Sequence, residues 1–316
     1  MEKRIFELTF DIKRYLGECD STRKFWNKAD KSPVTIADIG VQVIFNNWVK
    51  ENFSNDSIIA EESGNDIGES LLSEVGEKLK NLFPEKKYSI SELKNSIDYS
   101  GKSDSDFMWY LDPIDGTKGY LRNEQFAVAI SRVNKQNQVE LAILICPNLP
   151  YPYLESSGDT GTIFYSEAGN QIVQYSYQDF SRSQIIQTRT FSGIKIAKSV
   201  EKAHGNSDSI SYLSSKKENV SIIEMDSQAK YGLLIRGEAN LYIRYPSIPD
   251  YMEKWWDHVA GAEMVIKMGG IFTDTTGKKL EFNIKQKTLP ECNGVVASMG
   301  IDHLEIISIL DEYRKI

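Results

Sequence analysis

Cysteine is scarce in this 316-residue chain: Cys19, Cys146 and Cys292 stand far apart and form no Cys-x-x-Cys pair. That argues against a disulfide framework or a structural zinc cluster and predicts a reducing compartment. Long apolar runs are missing as well. No stretch approaches the ~20 apolar residues of a membrane span, and the charged, amphipathic start Met1-Glu-Lys-Arg-Ile-Phe-Glu-Leu8 has no signal-peptide core. A soluble, cytoplasmic protein is expected. Positive charge is in the minority, 37 Lys and Arg against 45 Asp and Glu, for a net charge of −8. Long-range attraction to nucleic acid or to an acidic membrane face is therefore disfavoured. An anionic substrate would need bound cations or a local Lys/Arg cluster to reverse the field. Internal repeats and low-complexity tracts are absent.

What is present is an ordinary globular composition, 41% hydrophobic and 26% charged, in a chain long enough for one large domain or two moderate ones. The most informative stretch is Met108-Trp-Tyr-Leu-Asp112-Pro-Ile-Asp115-Gly-Thr-Lys-Gly-Tyr120. Its aromatic, apolar opening suits a strand buried on both faces. Pro113 fixes φ and removes a donor, so the strand should stop there. Asp112 and Asp115 are hard oxygen ligands that repel one another unless a divalent cation lies between them. Gly116 allows close approach of backbone N–H groups to a phosphate. A metal and phosphate site is favoured over a pair of helix caps.

The remaining elements follow from periodicity. Residues 2–19 place Ile5, Leu8, Ile12 and Leu16 on one helical stripe, and Ile39 to Asn52 repeats the pattern with Asp38 at its start. Asp38 is either a cap or a ligand. Ser57-Ile-Ile-Ala60 reads as a strand ending in Glu61-Glu62, which alone could be a solvated loop. The polar segment 65–106, with a helical piece from Leu71 to Phe83, predicts a mobile surface excursion. Gln125–Val133 and Gln138–Ile145 form a hairpin pattern that Cys146-Pro147-Asn148 closes; 150–161 and 166–188 suggest loops and edge strands. From about residue 190 strands alternate with helices: Phe191–Lys198, Val220–Met225, the helix Gln228–Arg236, Ala239–Tyr245, then a helix from Trp256-Asp257-His258 to Met268 stopped by Gly269-Gly270. We expect an α+β domain over 1–188, antiparallel and carrying most metal ligands. An α/β domain over 189–316 should contribute Asp257 and the substrate pocket, with the site in the crevice between them. On the residues alone, Asp257 could be a helix-dipole charge, His258 a structural residue, and His204 and Lys230 solvated side chains.

Asp112-Pro-Ile-Asp-Gly-Thr117 resembles the signature of the lithium-inhibited, Mg²⁺-dependent phosphatases related to inositol monophosphatase. The run onward through Arg-Asn-Glu-Gln-Phe-Ala-Val128 looks more narrowly like the 3′(2′),5′-bisphosphate nucleotidases. Trp256-Asp257 with Gly269-Gly270 resembles the family's second signature. Ser199-Val-Glu-Lys-Ala-His204 and Asp226-Ser-Gln-Ala-Lys-Tyr231 again look like the nucleotidases. The likeness runs from about Ser32 to Val296, with gaps at 65–106 and 150–190. Ile36-Ala37 departs from the Thr-Gly expected before Asp38, and Trp255 from a smaller apolar residue.

The resemblance implies a layered αβαβα sandwich, antiparallel in its first half and mixed in its second. It implies two or three Mg²⁺ ions: Glu61, Asp112 and the Ile114 carbonyl on the first, Asp112, Asp115 and Asp257 on the second, Asp38 helping with a third. Asp38 and Thr117 would activate the attacking water. Gly116 and Thr117 would line the phosphate, His204 would touch the nucleoside, and Ser227, Lys230 and Arg244 would hold the phosphate that is not cleaved. The expected reaction removes the 3′-phosphate of adenosine 3′,5′-bisphosphate, with the sulfated analogue and inositol 1,4-bisphosphate as further substrates and Li⁺ as inhibitor, in a monomer. An inositol polyphosphate 1-phosphatase is the alternative; a non-catalytic nucleotide-binding relative is a third reading.

Overall fold

The computed structural model describes the chain except residues 21–22, 29–31, 188, 201–206, 246–250, 285, 290–291, 293 and 316. Helix α1 (Glu2–Cys19) buries Ile5, Leu8, Ile12 and Leu16 along the predicted stripe. A small hairpin, β1 (Phe25–Asn27) with β2 (Pro33–Thr35), leads into α2 (Ile36–Asn52). This helix starts three residues before the apolar pattern, because Thr35 and Asp38 close a capping box around its first turn. Asp38 therefore lies inside the helix rather than ahead of it.

Segment 65–106 differs from the surface excursion its polar composition predicts. It folds into α3 (Glu69–Leu82) and α4 (Ile90–Ile97), which pack on α2. Leu71, Leu72, Val75, Leu79, Leu93 and Ile97 are buried there. The outward faces are charged, and that charge dominates the composition while the leucine stripe sets the packing.

The first sheet runs β3 (Ser57–Ala60), β4 (Phe107–Asp115), β5 (Ala127–Asn134), β6 (Val139–Pro150), β7 (Thr160–Glu167), β8 (Val173–Ser176), β9 (Ser183–Ile185), in chain order. Only the β3–β4 pair is parallel among these. Cys146 does not end β6: after an irregularity the strand continues to Pro150. A short helix, α5 (Thr117–Leu121), joins β4 to β5. Alternation along the strands sends Trp109, Leu111 and Ile130 toward α1–α4, and Tyr110, Ala127 and Ala129 toward the opposite side.

The second half contains β10 (Ile194–Lys198), α6 (Ser207–Lys216), β11 (Val220–Glu224), α7 (Ala229–Ile235), β12 (Leu241–Arg244), α8 (Val259–Lys267), β13 (Ile271–Asp274), β14 (Val295–Ser298) and α9 (His303–Arg314). Its sheet order is β11-β10-β12-β14-β13, with β10 parallel to both neighbours and β14 antiparallel to both of its own. Helices α7 and α8 fill the space between the two sheets, while α6 and α9 cover the outer face of the second. The layers thus read αβαβα, as expected. No helix among the described residues is long and apolar enough to cross a membrane.

Candidate active site

Residues three apart on a regular strand point to opposite faces. In β4, however, Asp112 pairs with Ala129 and Asp115 with Ala127, so one extra residue is accommodated across that interval. This bulge, at Pro113 and Ile114, turns both carboxylates toward the side of α7 and α8. Gly116 then takes φ +85°, and a Cβ there would stand 3.0 Å from Ser227 Cβ. Glycine meets both demands. The close approach lets the Gln228 N–H, at the start of α7, donate to Asp115 Oδ2.

Asp38 reaches the same place from α2. The Thr117 hydroxyl sits between two acceptors, Ile114 O at 3.2 Å and Asp38 Oδ1 at 3.5 Å. At the end of β3, Lys28 lies 3.1 Å from Glu61 and 2.6 Å from the buried Glu62. From the C-terminal half, Asp257 occupies a 3₁₀ turn ahead of α8 and accepts from Arg244 at 3.1 Å. Arg244 also pairs with the buried Glu253 at 3.3 Å. Carboxylates of Glu253 and Asp257 and a nitrogen of His258 lie within 4.8 Å of one another. Yet His258 has both ring nitrogens in hydrogen bonds, to Glu253 and Tyr231, which gives it a structural place.

Electrostatics show how far these groups converge. Burial, followed by the charges of Glu61, Asp115, Asp257 and Asp38, holds the Asp112 carboxyl well above the usual carboxylate range. Asp257 is pushed up to about 8 and Asp38 to about 6, in each case mainly by burial. Asp115 is raised by burial too, against the pull of Lys230 and Arg244. Asp112 Oδ1 is buried without a hydrogen-bond partner among the described residues. An oxygen-only set of crowded acids with one buried oxygen unsatisfied is what a hard divalent cation fits.

Beside the acids, Lys230 is buried in α7. Its ammonium donates to Met225 O at 3.3 Å and lies 5.3 Å from the Tyr242 ring centre; burial depresses its pKa to about 8. Ser227 takes φ +63° next to it. A cavity of about 490 Å³ opens alongside, lined by Gln125, Asn148, Val200, Glu224, Met225 and Asp226 among others. Of the residues expected at the site, Asp38, Glu61, Asp112, Ile114, Asp115, Gly116, Thr117, Ser227, Lys230, Arg244 and Asp257 come together; His204 lies outside the described residues. Lys28, Glu62 and Glu253 were not anticipated. The signal for Glu253 was its place four residues before Asp257; Lys28 had only the short hairpin that precedes Asp38.

A profile of the inositol monophosphatase family matches residues 10–315. The chain belongs to that family. It is 33% identical over 296 residues to "3′,5′-bisphosphate nucleotidase 2" of Arabidopsis thaliana, covering 86% of this chain and 84% of the relative. To "3′(2′),5′-bisphosphate nucleotidase" of Schizosaccharomyces pombe it is 35% identical, covering 86% and 81%. Among solved structures, an IMPase/NADP phosphatase crystallised with Mg²⁺ and phosphate superposes with a TM-score of 0.64 at 14% identity, over 98% of this chain and 94% of that one. At that identity the likeness speaks for the family fold.

Proposed function

We propose that this chain is an Mg²⁺-dependent phosphomonoesterase that removes the 3′-phosphate of adenosine 3′,5′-bisphosphate, giving AMP and inorganic phosphate. The observation that carries the reading is the convergence of Asp38, Glu61, Asp112, Asp115 and Asp257 at one seam, with Asp112 Oδ1 buried and without a hydrogen-bond partner among the described residues. Relatives named for bisphosphate nucleotidase activity, at 33% and 35% identity, support the substrate.

Glu61, Asp112 and the Ile114 carbonyl would hold one cation, Asp112, Asp115 and Asp257 a second, and Asp38 would help with a third. When bound, Mg²⁺ would offset the phosphate charge, acidify a water and stabilise the leaving oxygen. The chain's own groups do the rest. Thr117 Oγ1 accepts a hydrogen bond from the attacking water while its proton is directed to Asp38 Oδ1, so water, hydroxyl and carboxylate form a general-base relay. Water adds in line at phosphorus, the P–O3′ bond breaks, and no phosphoenzyme forms. Backbone at Gly116 approaches the phosphate closely, as only a glycine with φ above zero allows.

Ser227, Lys230 and Arg244 form the cationic wall for the phosphate that stays. The adjoining cavity takes the nucleoside: Val200 and Met225 give an apolar surface, and Glu224 and Asp226 make it unsuited to a further phosphate. We also assign the protein to the cytoplasm, consistent with three buried free thiols, and expect it to act as a monomer in which halves 1–188 and 189–316 clasp the substrate.

The test is phosphate release from adenosine 3′,5′-bisphosphate and from inositol 1,4-bisphosphate, with and without Mg²⁺. A larger kcat/KM on the nucleotide is expected. Preference for the inositol compound, or nucleotide binding without turnover, overturns the assignment.

A further inference from the structure

Tyr231 of α7, His258 at the head of α8, Glu253 just before it and Arg244 at the end of β12 form one buried chain. Neither Glu253 nor His258 exposes any surface. A carboxylate only accepts hydrogen bonds, so His258 Nε2 donates to Glu253 Oε2 at 3.0 Å. Its Nδ1 is then the acceptor, and the Tyr231 hydroxyl donates to it at 2.8 Å. Burial lowers the imidazole pKa, in keeping with the neutral ring this tautomer needs. The same Glu253 oxygen lies 3.3 Å from Arg244 Nε, and the far end of that guanidinium reaches Asp257 Oδ2 at 3.1 Å. Gly261 permits the helix contact, since a Cβ there would stand 2.1 Å from the Tyr231 ring.

We propose that Glu253 is a positioning residue for Asp257. Anchored through His258 and Tyr231, it takes a share of the Arg244 charge, so that the Asp257 carboxylate stays aimed but available to a divalent cation. The inference rests on the reading of Asp257 as a metal ligand. Its logic is electrostatic. One guanidinium divided between two buried carboxylates binds each less firmly than either alone. With Glu253 neutral, Asp257 is left as the carboxylate in direct ion-pair contact with Arg244 among the described residues, and the tighter pair competes with the cation. Groups that orient ligands from behind in this way typically change metal affinity by about 10–100-fold.

Two variants of the full chain test this, with Mn²⁺ as probe and free Mn²⁺ followed by electron paramagnetic resonance, so that affinity is read without turnover. Glu253→Gln keeps the shape and removes the charge; Tyr231→Phe removes only the hydroxyl that holds His258. Glu253→Gln should weaken Mn²⁺ binding about tenfold and Tyr231→Phe about threefold. The Mg²⁺ needed for half-maximal phosphate release should rise in parallel, and kcat at saturating Mg²⁺ should change less. Unchanged Mn²⁺ affinity in folded Glu253→Gln, or in Tyr231→Phe if the first variant does not fold, overturns the proposal, as does an effect confined to thermal stability. Asp257→Asn is run alongside. If it too binds Mn²⁺ as tightly as the parent, the ligand assignment itself fails, and the positioning role with it.

Discussion

Thr35 holds Asp38 through one oxygen only: its N–H and its hydroxyl both reach Oδ2, at 2.8 and 2.5 Å, while Oδ1 faces the Thr117 hydroxyl at 3.5 Å. One carboxylate therefore serves as helix cap and proposed base. Thr35→Val should cost about 1 kcal/mol through the lost cap. It also removes a hydrogen bond that lowers the Asp38 pKa, already raised to about 6 by burial. The acid limb of the kcat/KM profile should move to higher pH. A lower melting temperature with an unmoved acid limb would mean that Asp38 is not the base.

Asp112→Asn separates stability from activity. Burial and four neighbouring acids oppose ionisation of Asp112, so a neutral amide of the same size relieves the metal-free protein. Its melting temperature in EDTA should rise by about 2–4 °C for each kcal/mol gained, while Mg²⁺-dependent phosphate release falls to background. Thermal scans beside a phosphate assay check both halves. Destabilisation in EDTA would show instead that the carboxylate supports the fold.

Much of the site was readable locally, and what was not has physical causes. Strand β4, the start of α2 and the Trp256-Asp257-His258 turn each carry their own hydrophobic or capping signal, so Asp38, Asp112 and Asp257 could be picked out. The bulge at Pro113 and Ile114 could not. Strict alternation would set Asp112 and Asp115 on opposite faces, and only the pairing with Ala129 and Ala127 reveals otherwise. Glu253 meets His258 and Arg244 only once the turn ahead of α8 folds back on the end of β12, and that irregular stretch carries no periodic signal. Lys28 follows a three-residue strand too short to display a period. Leu71, Leu72, Val75 and Leu79 repeat at helical spacing, so the helix from Leu71 to Phe83 was legible, but its charged neighbours hid its packing against α2.

The acid cluster should make the metal-free protein lose stability as pH rises. Asp38 is pushed up to about 6 and Asp257 to about 8, against about 4 for an unfolded aspartate. Between those values the folded state keeps protons that the unfolded state has released, so unfolding free energy declines as pH increases. In EDTA the melting temperature should fall from pH 5 to pH 8, and excess Mg²⁺ should flatten the slope. A melting temperature that climbs over that range in EDTA would contradict the clustering.

Lys230 offers a titration of substrate choice. Burial lowers its pKa to about 8, against the opposing pull of Asp115 and Asp226, so the free enzyme loses this cation as pH rises through that value. If it holds the phosphate that is not cleaved, kcat/KM for adenosine 3′,5′-bisphosphate should decline above pH 8 relative to a 3′-monophosphate lacking the second group. Lys230→Met should reproduce the high-pH preference at pH 7, at a cost of about 1.5–3 kcal/mol, the range for a hydrogen bond to a charged group, and on the bisphosphate alone. Equal losses on both substrates would place Lys230 in the support of Asp115 instead, since the two charges already interact across the start of α7.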